Sequence, residues 1–213
     1  QKAWLIADGA LTEQAADWLG DFRFTGDIWA YAEGDLYWPG SPVLTVTGRL
    51  GECILLETLA LSVLNHDSAI ASAAARMTIA ADDRPLMEMG SRRTHEEAAV
   101  AVGRAAWLAG FSGTSNLATG HRYAVPTIGT AAHAFTLAHR SEREAFAAQV
   151  RALGVGTTLL VDTFDIETGI RTAVEVAGPE LGAIRLDSGD LAVEARRARL
   201  LLDELGAVVT RLI

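Results

Sequence analysis

Short apolar runs alternate with longer helical stretches over the second half of the chain. Six runs have the length and composition of buried strands, at residues 86–90, 109–112, 124–129, 157–161, 183–186 and 207–210. Strands that alternate with helices along a chain predict a parallel sheet, either open or closed. We therefore expect an α/β domain over residues 85–213.

The first 84 residues have a different pattern. Residues 1–50 hold four of the five tryptophans and short strand-like pieces such as 42–48, which predict a small α+β region. Residues 52–77 are rich in Ala and Leu with few polar side chains, a composition typical of one or two buried helices. We assign residues 51–84 to these connecting helices.

Several residues mark where helices begin and end. Thr94 and Glu97 have the spacing of a capping box, which predicts a helix start at Thr94. Gly110, Gly154 and Gly206 lie where three of the predicted helices should stop. These boundaries agree with the alternation of strands and helices.

Polar residues follow five of the predicted strands. The clusters are Gly90-Ser91-Arg92-Arg93, Gly113-Thr114-Ser115-Asn116, Gly129-Thr130-Ala131-Ala132-His133, Asp162-Thr163-Phe164-Asp165 and Asp187-Ser188-Gly189-Asp190. Each cluster by itself is ordinary for a turn or a helix cap. Parallel α/β proteins bind ligands at the carboxyl ends of their strands, so five such clusters in succession favour a ligand site.

The side chains in these clusters suit an anionic ligand. Arg92 and Arg93 can clamp a phosphate or a carboxylate, although surface ion pairs would also explain them. Asp187, Ser188 and Asp190 offer oxygen atoms to a ribose diol and to a hydrated Mg²⁺. The Gly-Thr-Ser-Asn cluster offers hydroxyl and N–H groups at a helix entrance.

His133 is the histidine with the most suggestive setting. It follows a Gly-Thr turn, begins a predicted helix and precedes the apolar residues 134–137. A histidine beside apolar residues is often structural, but beside an anionic site it can act as acid, base or phosphoryl acceptor. The residues alone thus indicate an α/β protein that handles a phosphorylated ligand with a divalent metal, and they specify no reaction.

Composition narrows the class of protein. The 213 residues are 50% hydrophobic, which is enough for a sizeable core, and the net charge of -9 argues against a nucleic-acid surface. The single Cys53 lies in an apolar run, which indicates a buried thiol in a reducing compartment and hence the cytoplasm. No uninterrupted apolar run reaches the ~20 residues of a membrane span, and no signal peptide is evident, so we expect no membrane insertion.

In this order, the motifs resemble those of the nicotinate phosphoribosyltransferases, and the resemblance covers essentially the whole chain. Besides the clusters above, it rests on Phe24-Thr25-Gly26-Asp27, Glu33-Gly34, Pro39-Gly40-Ser41-Pro42, Val161-Asp162-Thr163 and Arg185-Leu186-Asp187. The resemblance implies an irregular parallel α/β barrel with a smaller α+β N-terminal domain. Family members are considerably longer and contain further barrel strands, so we expect this barrel to be incomplete and the chain to be partial.

The resemblance also implies a reaction. The family transfers phosphoribose from phosphoribosyl pyrophosphate to nicotinate in NAD biosynthesis, with Mg²⁺, and couples this to ATP hydrolysis through a phosphorylated histidine. By resemblance His133 is that histidine, Thr130 and Arg185 contact nicotinate, and the protein is a homodimer. The resemblance further assigns Arg92, Arg93, Asp187, Ser188 and Asp190 to phosphoribosyl pyrophosphate, Asp187 and Asp190 to the metal, and Thr114, Ser115, Asn116 and Asp162 to the pocket.

Three alternatives stay open at this point. A related transferase that uses nicotinamide differs by one uncharged amide, which the residues do not distinguish. A quinolinate enzyme needs extra basic residues and no phosphohistidine, so the Gly-Thr-Ala-Ala-His stretch argues against it. The chain can also be a noncatalytic fragment that binds a phosphosugar.

Overall fold

The computed structural model describes all 213 residues, which divide into two compact units, 1–128 and 129–213. In the first unit, α1, α2 and the antiparallel strands β1 and β2 precede the long helix α3, and a parallel strand pair follows. Its elements are α1 Lys2–Ala7, α2 Glu13–Gly20, β1 Asp27–Ala30, β2 Leu44–Thr47, α3 Leu50–Ala81, β3 Met87–Glu88, α4 Glu96–Leu108, β4 Gly113–Thr114 and α5 Leu117–Tyr123. The strand predicted within residues 42–48 is confirmed as β2.

Helix α3 is one continuous helix of 32 residues, and most of its surface is exposed. The prediction that this segment is buried is wrong for the 213 residues described, because only Glu52 and Ala74 of the helix are buried. Cys53 is likewise only half-buried. By length and composition alone α3 could cross a membrane, which is weak evidence because core helices of soluble proteins pass the same test.

The parallel strands β3 and β4 lead into the two polar clusters of this unit, Gly90–Arg93 and Gly113–Asn116. Met87 pairs with Gly113 and Glu88 with Thr114, so the strand predicted at 109–112 begins later than expected. Helix α4 ends in a turn through Gly110, which has a φ of +102°, and this turn occupies the predicted strand. The strand predicted at 124–129 is reduced to a single bridge between Thr114 and Thr127.

The predicted capping box at Thr94 is also wrong. His95 is the N-cap of α4, and its ring Nδ1 accepts a hydrogen bond from the backbone N–H of Glu97 at 3.4 Å. Thr94 stays in an extended conformation before the helix. A histidine ring can replace a hydroxyl as the acceptor for the free N–H groups of the first turn.

The second unit is a three-stranded parallel sheet in the order β5–β6–β7, with a helix between successive strands. Its core contains Leu159 and Ile184 from the sheet and Ile170 and Leu202 from the helices, all nearly inaccessible to solvent. The elements are α6 His133–Leu137, α7 Glu142–Leu153, β5 Thr158–Leu160, α8 Ile166–Ala177, β6 Ala183–Arg185, α9 Leu191–Glu204 and β7 Arg211–Leu212.

The sequence predicts two of these three strands correctly. The strands expected at 157–161 and 183–186 are β5 and β6, but residues 207–210 form a turn and the strand starts at Arg211. Gly154 and Gly206 follow the ends of α7 and α9 with positive φ, as expected for residues that stop helices.

Parallel strands that alternate with helices confirm the predicted α/β class. That these strands form part of an incomplete barrel stays a prediction, as do the predicted boundaries at residues 50 and 84. Four of the polar clusters lie at the carboxyl ends of the parallel strands β3, β4, β5 and β6, where α/β proteins bind their ligands.

Helix α8 packs against the sheet through Gly169, and this contact gives a stability prediction. A Cβ on Gly169 would collide with the backbone carbonyl of Val161. We expect Gly169→Ala to lower the free energy of unfolding by about 3 kcal/mol, since overpacking a tight core forces the helix away from the sheet. Denaturant unfolding measures the change. Gly156→Ala is the matched control, because its Cβ would meet no atom within 4 Å; equal effects of both substitutions would contradict the packing argument.

Candidate active site

A polar cluster occupies the carboxyl ends of β5 and β6 in the second unit. Because the two strands are parallel neighbours, with Leu160 opposite Arg185, the residues that follow them emerge side by side. The cluster has side chains from three of the segments highlighted by the sequence, namely Thr130, His133, Asp162, Thr163, Arg185, Asp187 and Ser188.

Asp162 lies at the centre of this cluster, and its side chain is fully buried. Its Oδ2 accepts hydrogen bonds from the backbone N–H of Asp187 at 2.8 Å and from the hydroxyl of Ser188 at 2.7 Å. These bonds join the end of β5 to the loop after β6. Its Oδ1 has no hydrogen-bond partner and lies 3.9 Å from Nε2 of His133.

His133 begins helix α6, so the prediction that it lies in the first turn of a helix is confirmed. Its Nδ1 lies 3.2 Å from the Thr163 hydroxyl, within hydrogen-bonding distance. Its Nε2 lies 3.6 Å from Oδ2 of Asp187, in addition to the nearby Oδ1 of Asp162. One ring nitrogen is thus held by a hydroxyl while the other faces two carboxylates, and the ring itself is partly open to solvent.

Arg185 connects two more of the predicted site residues. Its Nη1 donates to the Thr130 hydroxyl at 2.7 Å, and its Nη2 donates to Oδ1 of Asp187 at 2.8 Å. A guanidinium has five N–H donors in a planar fork, so these two bonds orient the group and leave other donors for a ligand. The resulting chain runs from Thr130 through Arg185 and Asp187 to His133.

Asp190 has a local structural role. Its Oδ1 accepts hydrogen bonds from the backbone N–H groups of Ala192 and Val193, both at 3.1 Å, and so caps helix α9. The structure contains no group of three or more His, Cys, Asp or Glu side chains arranged to hold a metal. A cavity of about 640 Å³ in this unit lies between α8 and α9 and includes neither His133 nor Arg185.

The first unit has a second polar cluster, at the ends of β3 and β4. Asn116 caps helix α5, as predicted, and its Nδ2 donates to the hydroxyl of Ser91 at 3.2 Å. Ser115 lies between Asn116 and the buried Thr114. Arg92 and Arg93 form a short 3₁₀ turn, are exposed, and belong to none of the ion pairs in the structure.

Sequence reasoning missed two residues of these clusters. Thr163 holds the His133 ring, and its position directly after Asp162 was the signal available. Glu88 is buried in β3 and bonds to the Thr114 hydroxyl at 2.6 Å. A glutamate is rarely buried, so its presence within the apolar run 86–90 was the available signal.

Two further carboxylates lie close to Asp162. Burial raises the pKa of Glu142, and the charges of Asp165 and Asp162 raise it further. Its Oε1 is buried without a hydrogen-bond partner. Hydrogen bonds from Thr168 lower the pKa of Asp165, which caps α8. The buried, unpartnered oxygen of Glu142 therefore lies in the field of two other carboxylates.

The fold and this cluster define a class of protein, namely an α/β protein whose strand-end loops bring together a histidine, an arginine and several carboxylates. The chain belongs to the nicotinate phosphoribosyltransferase family. The model of the nicotinate phosphoribosyltransferase (NAPRTase) N-terminal domain matches residues 1–65, and that of the NAPRTase family matches residues 85–207. This confirms the resemblance seen in the motifs.

Individual proteins agree with the family assignment. The chain is 64% identical over 204 residues to nicotinate phosphoribosyltransferase pncB1 of Mycobacterium tuberculosis, covering 92% of this chain and 46% of that protein. A crystal structure of human nicotinic acid phosphoribosyltransferase superposes with a TM-score of 0.81 at 25% identity, over 99% of this chain and 56% of the other. For a nicotinate-nucleotide pyrophosphorylase from Pyrococcus furiosus the TM-score is 0.82 at 28% identity, over 88% and 50%. The chain thus spans about half the length of the curated relatives it matches.

The environment of Glu142 gives a pH-dependent prediction. A raised pKa in the folded state means that ionised Glu142 destabilises the fold, and this penalty grows as pH rises above the ordinary value of 4.5. We expect Glu142→Gln to raise the melting temperature at pH 7, with the gain shrinking as pH falls toward about 4. Glu144→Gln, on the exposed face of the same helical turn, should show no such trend. A gain that is independent of pH would contradict the assignment.

Proposed function

We propose that the protein transfers phosphoribose from phosphoribosyl pyrophosphate to nicotinate, giving nicotinate mononucleotide and pyrophosphate for NAD biosynthesis, with ATP as co-substrate. Family membership and the 64% identity to pncB1 support the transfer reaction. The observation that carries the ATP-coupled mechanism is the setting of His133, with Nδ1 held by Thr163 and Nε2 facing the strand-end carboxylates.

His133 is the proposed phosphoryl acceptor. When Nδ1–H donates to the Thr163 hydroxyl, the lone pair of Nε2 points into the site. Attack by Nε2 on the γ-phosphorus of ATP forms an N–P bond and breaks the P–O bond to ADP, which leaves with the electron pair. Later hydrolysis of the phosphohistidine drives the transfer toward nicotinate mononucleotide. His133 thereby links ATP cleavage to the state of the pocket.

Arg185 is the proposed partner of the nicotinate carboxylate. Its guanidinium is held in place by Thr130 and Asp187, so a carboxylate can bind the remaining donors without further ordering of the side chain. Charge-assisted bonds of this kind distinguish nicotinate from nicotinamide, whose amide is neutral. Within the first unit, Arg92 and Arg93, which belong to no ion pair, are the proposed partners of phosphate groups, and Thr114, Ser115 and Asn116 are the proposed pocket residues.

The carboxylates of the site fit a Mg²⁺ ion that takes its other ligands from substrate and water. Mg²⁺ commonly binds through one or two carboxylates together with phosphate oxygens, so a three-residue protein cluster is not required. Asp187 and Asp190 are the proposed ligands, and the buried Oδ1 of Asp162, which has no hydrogen-bond partner, supports a donor or a cation beside it. A bound Mg²⁺ would offset phosphate charge. Asp162, and Ser188 in the loop after β6, are the proposed contacts on the ribose side of the pocket.

Location and assembly complete the proposal. The single, half-buried Cys53 supports a reducing cytoplasm. Exposed apolar residues of α3, including Leu59, Leu61 and Ile79, support burial of this helix in a larger assembly, which the resemblance implies is a homodimer. The predicted incomplete parallel α/β barrel belongs to the same proposal, and the parallel sheet β5–β6–β7 supports it as a part of such a barrel.

A second candidate function is a noncatalytic phosphosugar-binding role, which the polar side chains at the strand ends would also serve. A quinolinate-type reaction also stays as an alternative. Both differ from the main proposal in requiring no phosphohistidine.

Incubation with γ-labelled ATP and Mg²⁺ tests the phosphohistidine directly. We expect acid-labile, base-stable label on the protein that His133→Ala abolishes, because no other histidine faces the strand-end carboxylates. His139→Ala is the matched control, as this ring binds only the backbone oxygen of Phe135. Label that survives His133→Ala would contradict the mechanism, and absence of label with intact phosphosugar binding would favour the noncatalytic role.

Substitution of Arg185 tests the choice of base. We expect Arg185→Gln to weaken nicotinate binding by about 100-fold, as expected for losing a buried charge-assisted pair, and to leave nicotinamide binding nearly unchanged. Competition binding with the two bases measures the difference. Equal losses for both would show that Arg185 does not read the carboxylate. Arg171→Gln, whose guanidinium pairs with Glu167 on the exposed side of α8, is the control.

A further inference from the structure

Glu88 is a buried carboxylate that none of the proposed chemical steps uses. It is the last residue of β3, and only 6% of its surface is exposed. Its Oε2 accepts a hydrogen bond from the Thr114 hydroxyl at 2.6 Å, and its Oε1 accepts one from the backbone N–H of Gly90. Its backbone oxygen accepts from the N–H of Ser115 at 2.8 Å. One residue therefore binds both loops that follow β3 and β4.

These contacts close a ring of hydrogen bonds. The Thr114 hydroxyl gives its single proton to Glu88 and accepts from the backbone N–H of Asn116 at 3.0 Å. Asn116 in turn donates from its side chain to Ser91, which follows Gly90. The directions are set by the chemistry, since a carboxylate only accepts and a hydroxyl has one proton. The ring fixes where the Gly90–Arg93 turn begins relative to the Gly113–Asn116 loop.

The space around Gly90 shows how closely the turn depends on Glu88. A Cβ at Gly90 would lie 2.8 Å from Oε1 of Glu88, so only glycine lets the backbone approach the carboxylate this closely. The next residues of the turn are Arg92 and Arg93, whose side chains are exposed and make no ion pair. The direction in which both guanidinium groups leave the protein is thus set by a turn that Glu88 holds.

Burial of a carboxylate is costly unless donors surround it, and an apolar residue would fill a strand end at lower cost. The second unit shows the same arrangement: Asp162 follows β5, is buried, and accepts from one backbone N–H and one hydroxyl of the neighbouring loop. In both units the buried acid joins two loops that carry proposed ligand-binding residues. This recurrence at separate strand pairs favours a role in shaping the site over a role in the core alone.

We propose that Glu88 is a positioning residue for phosphate recognition: through Gly90 and Thr114 it holds the turn that aims Arg92 and Arg93 at the phosphate groups of the substrate. This inference rests on the proposed function, which assigns those arginines to phosphate. Glu88 itself does not touch the ligand. Its negative charge, already bound by two donors of the protein, is shielded from the phosphate groups.

The test is binding of inorganic pyrophosphate with Mg²⁺, measured by calorimetry beside nicotinate binding in the same variant. Glu88→Gln keeps the size of the side chain but can accept at only one end, so either the Gly90 N–H faces an amide N–H or the Thr114 hydroxyl loses its acceptor. We expect pyrophosphate affinity to fall about tenfold, because a small misorientation of a charged clamp is costly, while nicotinate affinity stays within about twofold. A purely structural role would leave the pyrophosphate affinity of the folded variant unchanged, and that result would overturn the proposal.

Two variants control for charge and for folding. Glu96→Gln removes the same charge from the exposed start of α4, close in sequence to the arginines, and should not weaken pyrophosphate binding. Thr114→Val removes the other end of the shared hydrogen bond without touching Glu88, and should weaken pyrophosphate binding in the same direction. It decides the question if Glu88→Gln fails to fold.

The double variant Arg92→Ala/Arg93→Ala separates this inference from the proposed function. If it leaves pyrophosphate affinity unchanged, the phosphate assignment of the arginines fails and the role of Glu88 fails with it. If it weakens binding while folded Glu88→Gln and Thr114→Val bind normally, the phosphate assignment stands and only the positioning role is overturned.

Discussion

The candidate site depends on the burial of one carboxylate, Asp162. Removing a carboxylate from water costs of order several kcal/mol, which the protein recovers only by surrounding it with donors. Two donors come from the loop after β6, the N–H of Asp187 and the hydroxyl of Ser188. That demand fixes the loop against β5, and the loop in turn places Asp187 beside Arg185 and His133. The unpartnered Oδ1 is left as the electrostatic centre of the site.

The strand ends of the first unit obey the same constraint with a longer acid. The Glu88 carboxylate accepts hydrogen bonds from the Thr114 hydroxyl and from the backbone N–H of Gly90. A side chain at Gly90 would obstruct the second contact. In each unit the sheet supplies rigidity, and a buried acid transfers that rigidity to loops that would otherwise be held only by their ends. Sites of this kind are precise because the free-energy cost of an unpaired buried carboxylate exceeds the conformational entropy that the loop would gain by moving.

Much of the fold could be predicted from residue patterns, and the errors have clear physical causes. Strands β5 and β6 agree with the prediction because short, continuous apolar runs are typical of parallel strands that are buried on both faces. The strand expected at 207–210 is a turn, because backbone hydrogen bonds at the end of α9 compete for the same residues, with Ala207 N–H bound to Leu202. The prediction that α3 is buried is wrong, because apolar spacing predicts the apolar face of a helix but not which element packs against it.

The sequence by itself determined the α/β class, the family, and which residues stand at the ends of parallel strands, since these depend on local periodicity and on motifs. Only the tertiary structure decided which atoms meet: Thr163 with His133, Thr130 with Arg185, and the buried acids with loops 25 to 26 residues away. Such contacts join residues far apart along the chain. Their pairing follows from strand register and from the need of each buried charge for donors, neither of which a local pattern contains.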